Sequence, residues 1–386
     1  MYETQLLLFK GGTILKTQSL YQVCVSGQRV RSPALFAATI LLSVLVIGPN
    51  AYALSCGDII TTTTTLTANL GPCDGVALTV GASNIRLNLN GWSIIGFFKS
   101  LPDCTEVVTP CLEGVNVGGT TNVTINGPGT ITGFSFGVSV FDVTGHRTGS
   151  SGTTVRHVHF VANSAIGIAF VVGAGNRILN NTFSANPCIA IKIDAVAGAR
   201  IIGNAISGSN ASPASNTCGM QQSATGGGLG IGIVSTSTGA MVKHNSVNNS
   251  TNGIFVDSSS SPITVRANDF SGNTQDGIAM ESQATLTGNQ ANGNGRDGIS
   301  VAFGSLSRIQ FNTANSNGHN GIGLGDLLGA SGNNNTISSN RALGNGSNSV
   351  FAPSFDLFWD GNGTGNTWLT NFCDTRTMNI GGPPCL

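Results

Sequence analysis

A short internal repeat constrains this chain more than any other feature. Residues 252–257 read NGIFVD, 276–281 DGIAME, 297–302 DGISVA and 320–325 NGIGLG, so isoleucines recur at 254, 278, 299 and 322, in steps of 24, 21 and 23. A second set runs between them: RILNNTF, RIIGNAI, MVKHNSV, TVRANDF, TLTGNQA and RIQFNTA. Its asparagines 181, 204, 245, 268, 289 and 312 keep a similar interval, apart from one step of 41 that marks an insertion. Each unit is too short for two long helices, and its apolar residues alternate with period 2, which predicts short strands. In NGIFVD the alternation sends Ile254 and Val256 inward and Phe255 and Asp257 outward, with Asn252-Gly253 as the turn. One such unit cannot bury its apolar face. Units stacked at about 4.8 Å close the backbone hydrogen bonds between coils and build a continuous interior. The asparagines then align in a ladder that satisfies polar groups at the corners. The fold class predicted from the repeat is all-β, a parallel β-helix of coils 21 to 24 residues long with disulfide-linked end caps.

Composition agrees with stacked strands. Only 9% of the 386 residues are charged and the formal net charge is zero, with 54 glycines, whereas ordinary domains carry about 25% charged residues. Asn, Ser, Thr and Gly must therefore form much of the surface, which suits tight turns. The 40% hydrophobic content argues against disorder. The linear sequence offers no basic patch, so nucleic acid is not an expected partner.

Residues 33–48 (PALFAATILLSVLVIG) follow Arg29 and Arg31 and precede Ala51-Tyr52-Ala53. This is the pattern of a secretory h-region and its cleavage site. Residues 1–53 are read as a presequence and 54–386 as one β-helix domain with an N-terminal cap and C-terminal tail; whether residues 1–28 are translated is left open. The alternative is an uncleaved membrane anchor. The expected location is secreted, periplasmic or at the cell surface, with membrane contact only through the signal segment. Beyond the presequence remain eight cysteines, an even number: Cys56, Cys73, Cys104, Cys111, Cys188, Cys218, Cys373 and Cys385. Neighbour pairing, 56 with 73, 104 with 111, 188 with 218 and 373 with 385, is one of many connectivities open to them.

These repeats, together with the opening CGDIITTTTTLTANLGPC and NIRLNLNGWSIIG, resemble the parallel β-helix repeats of the pectate-lyase-like superfamily over roughly residues 56 to 370. The resemblance implies the right-handed β-helix and, for many members, binding or cleavage of polysaccharide. Catalytic motifs of such enzymes are incomplete here. Gly318-His319-Asn320 is a fragment of GHG, Arg308-Ile309-Gln310 lacks the lysine of RIK, and no D-P-H occurs.

Aligning the strands on Ile191, Ile231, Ile254, Ile278, Ile299 and Ile322 gives outward columns that carry the candidate chemistry. Three residues along stand Asp194, Asp257 and Glu281; one residue along stand Lys192 and Phe255. Asp257 and Glu281 fall on adjacent coils, where like charges raise one pKa or recruit a cation such as Ca2+, and where paired carboxylates suit retaining hydrolysis. They are the candidate catalytic residues, with Lys192, Asp194 and Phe255 as substrate-binding residues. Asp276 and Asp297 share the pre-glycine position of Asn252 and Asn320 and are read as turn formers. His157 and His159 alternate along one expected strand but lack a third metal ligand. The function expected is a secreted protein that binds or cleaves a polysaccharide or cell-surface glycan, as a lyase or glycoside hydrolase. Enzymatic activity is left open, and a non-catalytic adhesive surface protein is the alternative.

Overall fold

Period-2 alternation becomes three faces of one coil. In a computed structural model, which describes residues 54–97, 112–140, 149–210, 228–325, 331–348, 350, 353–374 and 385, each coil contributes a strand to a first, a second and, in many coils, a third sheet. One such coil is Ile189–Ala197, Arg200–Ile202 and Ala205–Ser207; the next is Leu229–Val234, Met241–Lys243 and Ser246–Asn248. The first and second sheets each have twelve strands and the third has seven, stacked in coil order. The third continues as single bridges through Asp269, Gln290 and Thr313 to Arg341. All the strand pairs are parallel, as successive turns of one coil must be. The described residues fall in a unit spanning Ala51–Leu386. The presequence, with its apolar segment 33–48, lies outside the described residues, among which no helix is long and apolar enough to cross a membrane.

The expected isoleucine column forms in register. Ile191 pairs with Ile231, and Ile231 with Ile254, Ile278, Ile299 and Ile322 in turn, and every one is fully buried. The second sheet lines the interior with Ile178, Ile201, Val242, Val265 and Leu286. Phe160 and Phe183 stack at 4.9 Å between coils of the third sheet.

The asparagine column also forms, at the corner between the second and third sheets. Asn204 Nδ2 donates to Asn245 Oδ1 at 2.9 Å, Asn245 to Asn268 at 2.9 Å, Asn268 to Asn289 at 3.0 Å and Asn289 to Asn312 at 3.0 Å. The residue before each ladder asparagine sits in the left-handed region, as with His244 at φ 56° and Ala267 at φ 52°. The corner thus turns in two residues, and the following asparagine ties its backbone to the adjacent coils. A second ladder closes the corner after the third sheet through Asn273, Asn294, Asn317 and Asn345.

Glycine in the N/D-G-I repeat has a different role from the expected turn. Asn252 and Gly253 belong to the strand Asn252–Val256. A Cβ on Gly277 would stand 2.7 Å from the Gly298 carbonyl oxygen of the next coil and 2.7 Å from Asn294 Nδ2. The position requires close approach between coils, and no positive φ.

Both end disulfides expected from neighbour pairing are present, Cys56–Cys73 and Cys373–Cys385. Cys188 is disulfide-bonded as well. Its expected partner Cys218, and the pair Cys104 and Cys111, lie outside the described residues.

Candidate functional site

Asp257 and Glu281 directly follow Val256 and Met280, which are register partners on adjacent coils of the first sheet. Their backbones are therefore about one coil spacing apart, near 4.8 Å. Both are half-exposed. The turn that follows the strand holds Asp257 firmly. Its Oδ2 accepts the Ser235 N–H at 2.7 Å, and the Ser259 hydroxyl donates to Oδ1 and Oδ2 at 2.9 and 3.0 Å. Glu281 differs: burial, and then the charge of Asp257, push its carboxyl above the usual carboxylate range against the pull of the Ser258 N–H. Two carboxyls side by side with unequal environments are the arrangement from which acid and base roles are built.

The other expected site residues do not share that setting. Lys192 and Asp194 form an ion pair, Nζ to Oδ2 3.0 Å, in which both side chains are almost wholly buried. Phe255 is 3% exposed. The outward columns were expected to face solvent; here the outer face of the first sheet is covered at these positions, so none of the three presents its side chain to a sugar at the surface. Asp194 pairs with Val234, one coil short of Asp257, which puts it two coil spacings, about 10 Å, from Asp257. The expected face divides into a buried ion pair and a half-exposed carboxylate pair.

Calcium takes six to eight oxygen ligands. Asp257 already receives three hydrogen bonds, and among the described residues no group of three or more His, Cys, Asp or Glu side chains converges. The pair does not fit a Ca2+ cage. His157 and His159 are also separated: His157 takes φ 56° at the corner, while His159 begins a third-sheet strand and lies 2.5 Å from the Thr182 hydroxyl.

Asp276 and Asp297 hold the expected place before glycine, and they also form a charged chain, with both carboxylates buried, that their spacing did not suggest. Asp276 N–H donates to Asn252 Oδ1, Asp297 N–H to Asp276 Oδ1, and Asn320 N–H to Asp297 Oδ1. Arg296 grips both oxygens of Asp276, with Nε to Oδ1 at 2.6 Å, and lies 3.5 Å from Asp297 Oδ2. His319 Nδ1 lies 2.9 Å from Asp297 Oδ1. The sequence signal was the residue immediately before each Asp or Asn: Gln275, Arg296 and His319 occupy one register. With both carboxylates at 0% exposure, this chain ties coils together.

The fold also revises the expectation that no basic patch is presented. Arginines scattered along the sequence gather on the outer face of the second sheet, where Arg177 and Arg200 are direct partners, as are Lys243 and Arg266.

Residues 229–354 match the family model described as right handed beta helix region. The fold is similar to that in crystal structures of the periplasmic alginate epimerase. One variant aligns at TM-score 0.57 with 14% identity, over 81% of this chain and 76% of that one; a second aligns at 0.55 with 16% identity over the same shares. The unsubstituted epimerase aligns at 0.51 with 15% identity, again over 81% and 76%. No curated protein matches the chain by sequence. Register, ladders and these likenesses agree: the chain is a right-handed parallel β-helix protein, similar over residues 229–354 to the right handed beta helix region family.

Proposed function

We propose that this protein is exported and associates with a polysaccharide, with Asp257 and Glu281 as the groups that meet the sugar chain beside the first sheet. The observation that carries the reading is the unequal carboxyl pair on adjacent coils, Glu281 raised by burial and by its neighbour, Asp257 held as an acceptor by Ser235 and Ser259. A carboxyl with raised proton affinity beside a second carboxyl has the character of a general acid toward a glycosidic oxygen, with its partner as base or nucleophile. The likeness to an alginate epimerase, named for action on a polysaccharide, adds support at the level of the fold. Export is supported by the disulfides Cys56–Cys73 and Cys373–Cys385, since structural disulfides belong to oxidising compartments.

A second reading, a non-catalytic surface or adhesive protein, is favoured by the burial of Lys192, Asp194 and Phe255, which leaves the pair without an exposed cation or aromatic platform among the site residues expected. Product analysis separates the two. Incubating the full chain with alginate, polygalacturonate and neutral glucans should release shortened or unsaturated products that vanish in Asp257→Asn and Glu281→Gln. Binding without product selects the second reading, and neither binding nor product on any glycan removes both.

A further inference from the structure

Five consecutive coils each place one cation on the outer face of the second sheet. The strands are Thr154–Arg156, Arg177–Leu179, Arg200–Ile202, Met241–Lys243 and Ile263–Arg266, each hydrogen-bonded to the next. The cations are Arg156, Arg177, Arg200, Lys243 and Arg266. In every strand the preceding or following apolar residue, such as Ile178 or Val265, is buried, so the cations point outward; Arg177, Arg200 and Arg266 are exposed and the other two half-exposed. Consecutive coils lie about 4.8 Å apart, so the five form a band about 19 Å long with one positive charge per coil, set in two columns two residues apart along the strands: Arg177 and Arg200 in one, Arg156, Lys243 and Arg266 in the other.

The band is uncompensated. Among the described residues, no Asp or Glu occurs in any of the twelve strands of this sheet. Among the described residues, the ion pairs involve Lys192, Arg296 and His319 and none of the five. Arg156 hydrogen-bonds to Asn126 Oδ1 at 2.8 Å, a neutral partner. Like charges directly opposite on neighbouring strands are destabilising, and both Arg177 with Arg200 and Lys243 with Arg266 stand that way. A chain with seventeen anions for seventeen cations had acids available to intersperse. Its acids lie elsewhere: Glu113 and Asp194 in the first sheet, and Asp257 and Glu281 beside it.

We infer that this band is a second binding surface, separate from Asp257 and Glu281, and that its occupant is a linear acidic polysaccharide lying along the helix axis. Charge complementarity chooses the occupant. A polyuronate carries one carboxylate per sugar, a repeat on the scale of the coil spacing, so successive carboxylates meet successive coils. Guanidinium forks suit carboxylates in bidentate geometry. The other outward side chains of these strands, Thr154, Leu179, Ile202, Met241 and Thr264, are all uncharged and add no competing anion to the surface. The inference does not require the carboxylate pair to be catalytic.

The test is binding of the full chain to polygalacturonate, with dextran as the neutral control and single-stranded DNA as the competing polyanion, at low and at physiological ionic strength. Polygalacturonate should bind, weaken as salt rises, and lose about tenfold or more in affinity in the combined variant Arg177→Ser, Arg200→Ser, Lys243→Ser, Arg266→Ser, since each exposed pair contributes a modest increment. Unchanged circular dichroism and melting would show that this variant folds. Equal binding by the combined variant, equal binding of dextran, or tighter binding of the DNA than of the uronate would each overturn the inference.

Discussion

Asn245 and Asn268, twenty-three residues apart in the chain, occupy equivalent corners of adjacent coils, and Oδ1 of Asn268 accepts both the backbone N–H and the side-chain amide of Asn245, at 2.8 and 2.9 Å. Asn268 Nδ2 in turn reaches the carbonyl of Val242 and Oδ1 of Asn289. One side chain therefore bonds to buried groups on both neighbouring coils and joins three coils. Asn268→Ala strands the Asn245 N–H and the Val242 carbonyl, and unsatisfied buried groups cost about 1–3 kcal/mol each. Denaturant unfolding should show a loss of about 2–4 kcal/mol, against less than about 0.5 for an exposed neighbour such as Asp269→Ala.

Gly277 tests the close approach of coils. A methyl at this position meets the Gly298 carbonyl oxygen, a backbone atom that cannot swing aside. Gly277→Ala should destabilise by about 1–3 kcal/mol, the range of overpacking. Gly272→Ala is the contrast: its added Cβ meets nothing within 4 Å, but its φ of 70° makes strain the sole cost.

The buried charged chain makes a third prediction. Asp276→Ala removes the carboxylate that holds Arg296 and accepts the Asp297 N–H. Breaking a buried pair on one side costs about 3–5 kcal/mol. The melting temperature should fall much further than in Asp257→Ala, whose side chain is half-exposed.

Glu113 gives a pH signature. Burial pushes its carboxyl above the usual range, more than hydrogen bonds from Ser139 and Asn116 pull it down. Because the folded value is the higher one, the stability linked to its proton is fully present below the unfolded carboxylate value and is lost as pH rises through the folded one. Glu113→Gln should therefore melt above the parent at neutral pH, with the difference closing below about pH 4, near the unperturbed glutamate value. A difference independent of pH would contradict this assignment.

Much of the fold was legible because the information is local and periodic. Ile254 and Val256 alternate with polar or outward positions, and period 2 sorts them without knowledge of any partner. Asn268 recurs on a fixed interval, which is what a ladder requires. The site was less legible because solvent exposure is not periodic. Lys192 and Phe255 occupy the outward column as expected, yet that face is covered at those positions, and the cover is not encoded in the repeat. The pairing of Arg296 is invisible in the linear sequence because its partner Asp276 lies on the preceding coil. The basic band went unseen for the same reason: Arg177, Arg200, Lys243 and Arg266 are separated by 23, 43 and 23 residues, and only stacking brings them together. The repeat marks Gly277, but spacing alone does not distinguish a turn glycine from one required by an adjacent carbonyl.

The central claim is that this β-helix engages polysaccharide, and a glycan array probed with the full chain tests it most directly. The account predicts binding to at least one linear polysaccharide, with acidic chains preferred over neutral ones and the signal reduced by salt. Absence of binding to every polysaccharide on the array, by a chain whose circular dichroism and cooperative melting show it to be folded, would contradict it.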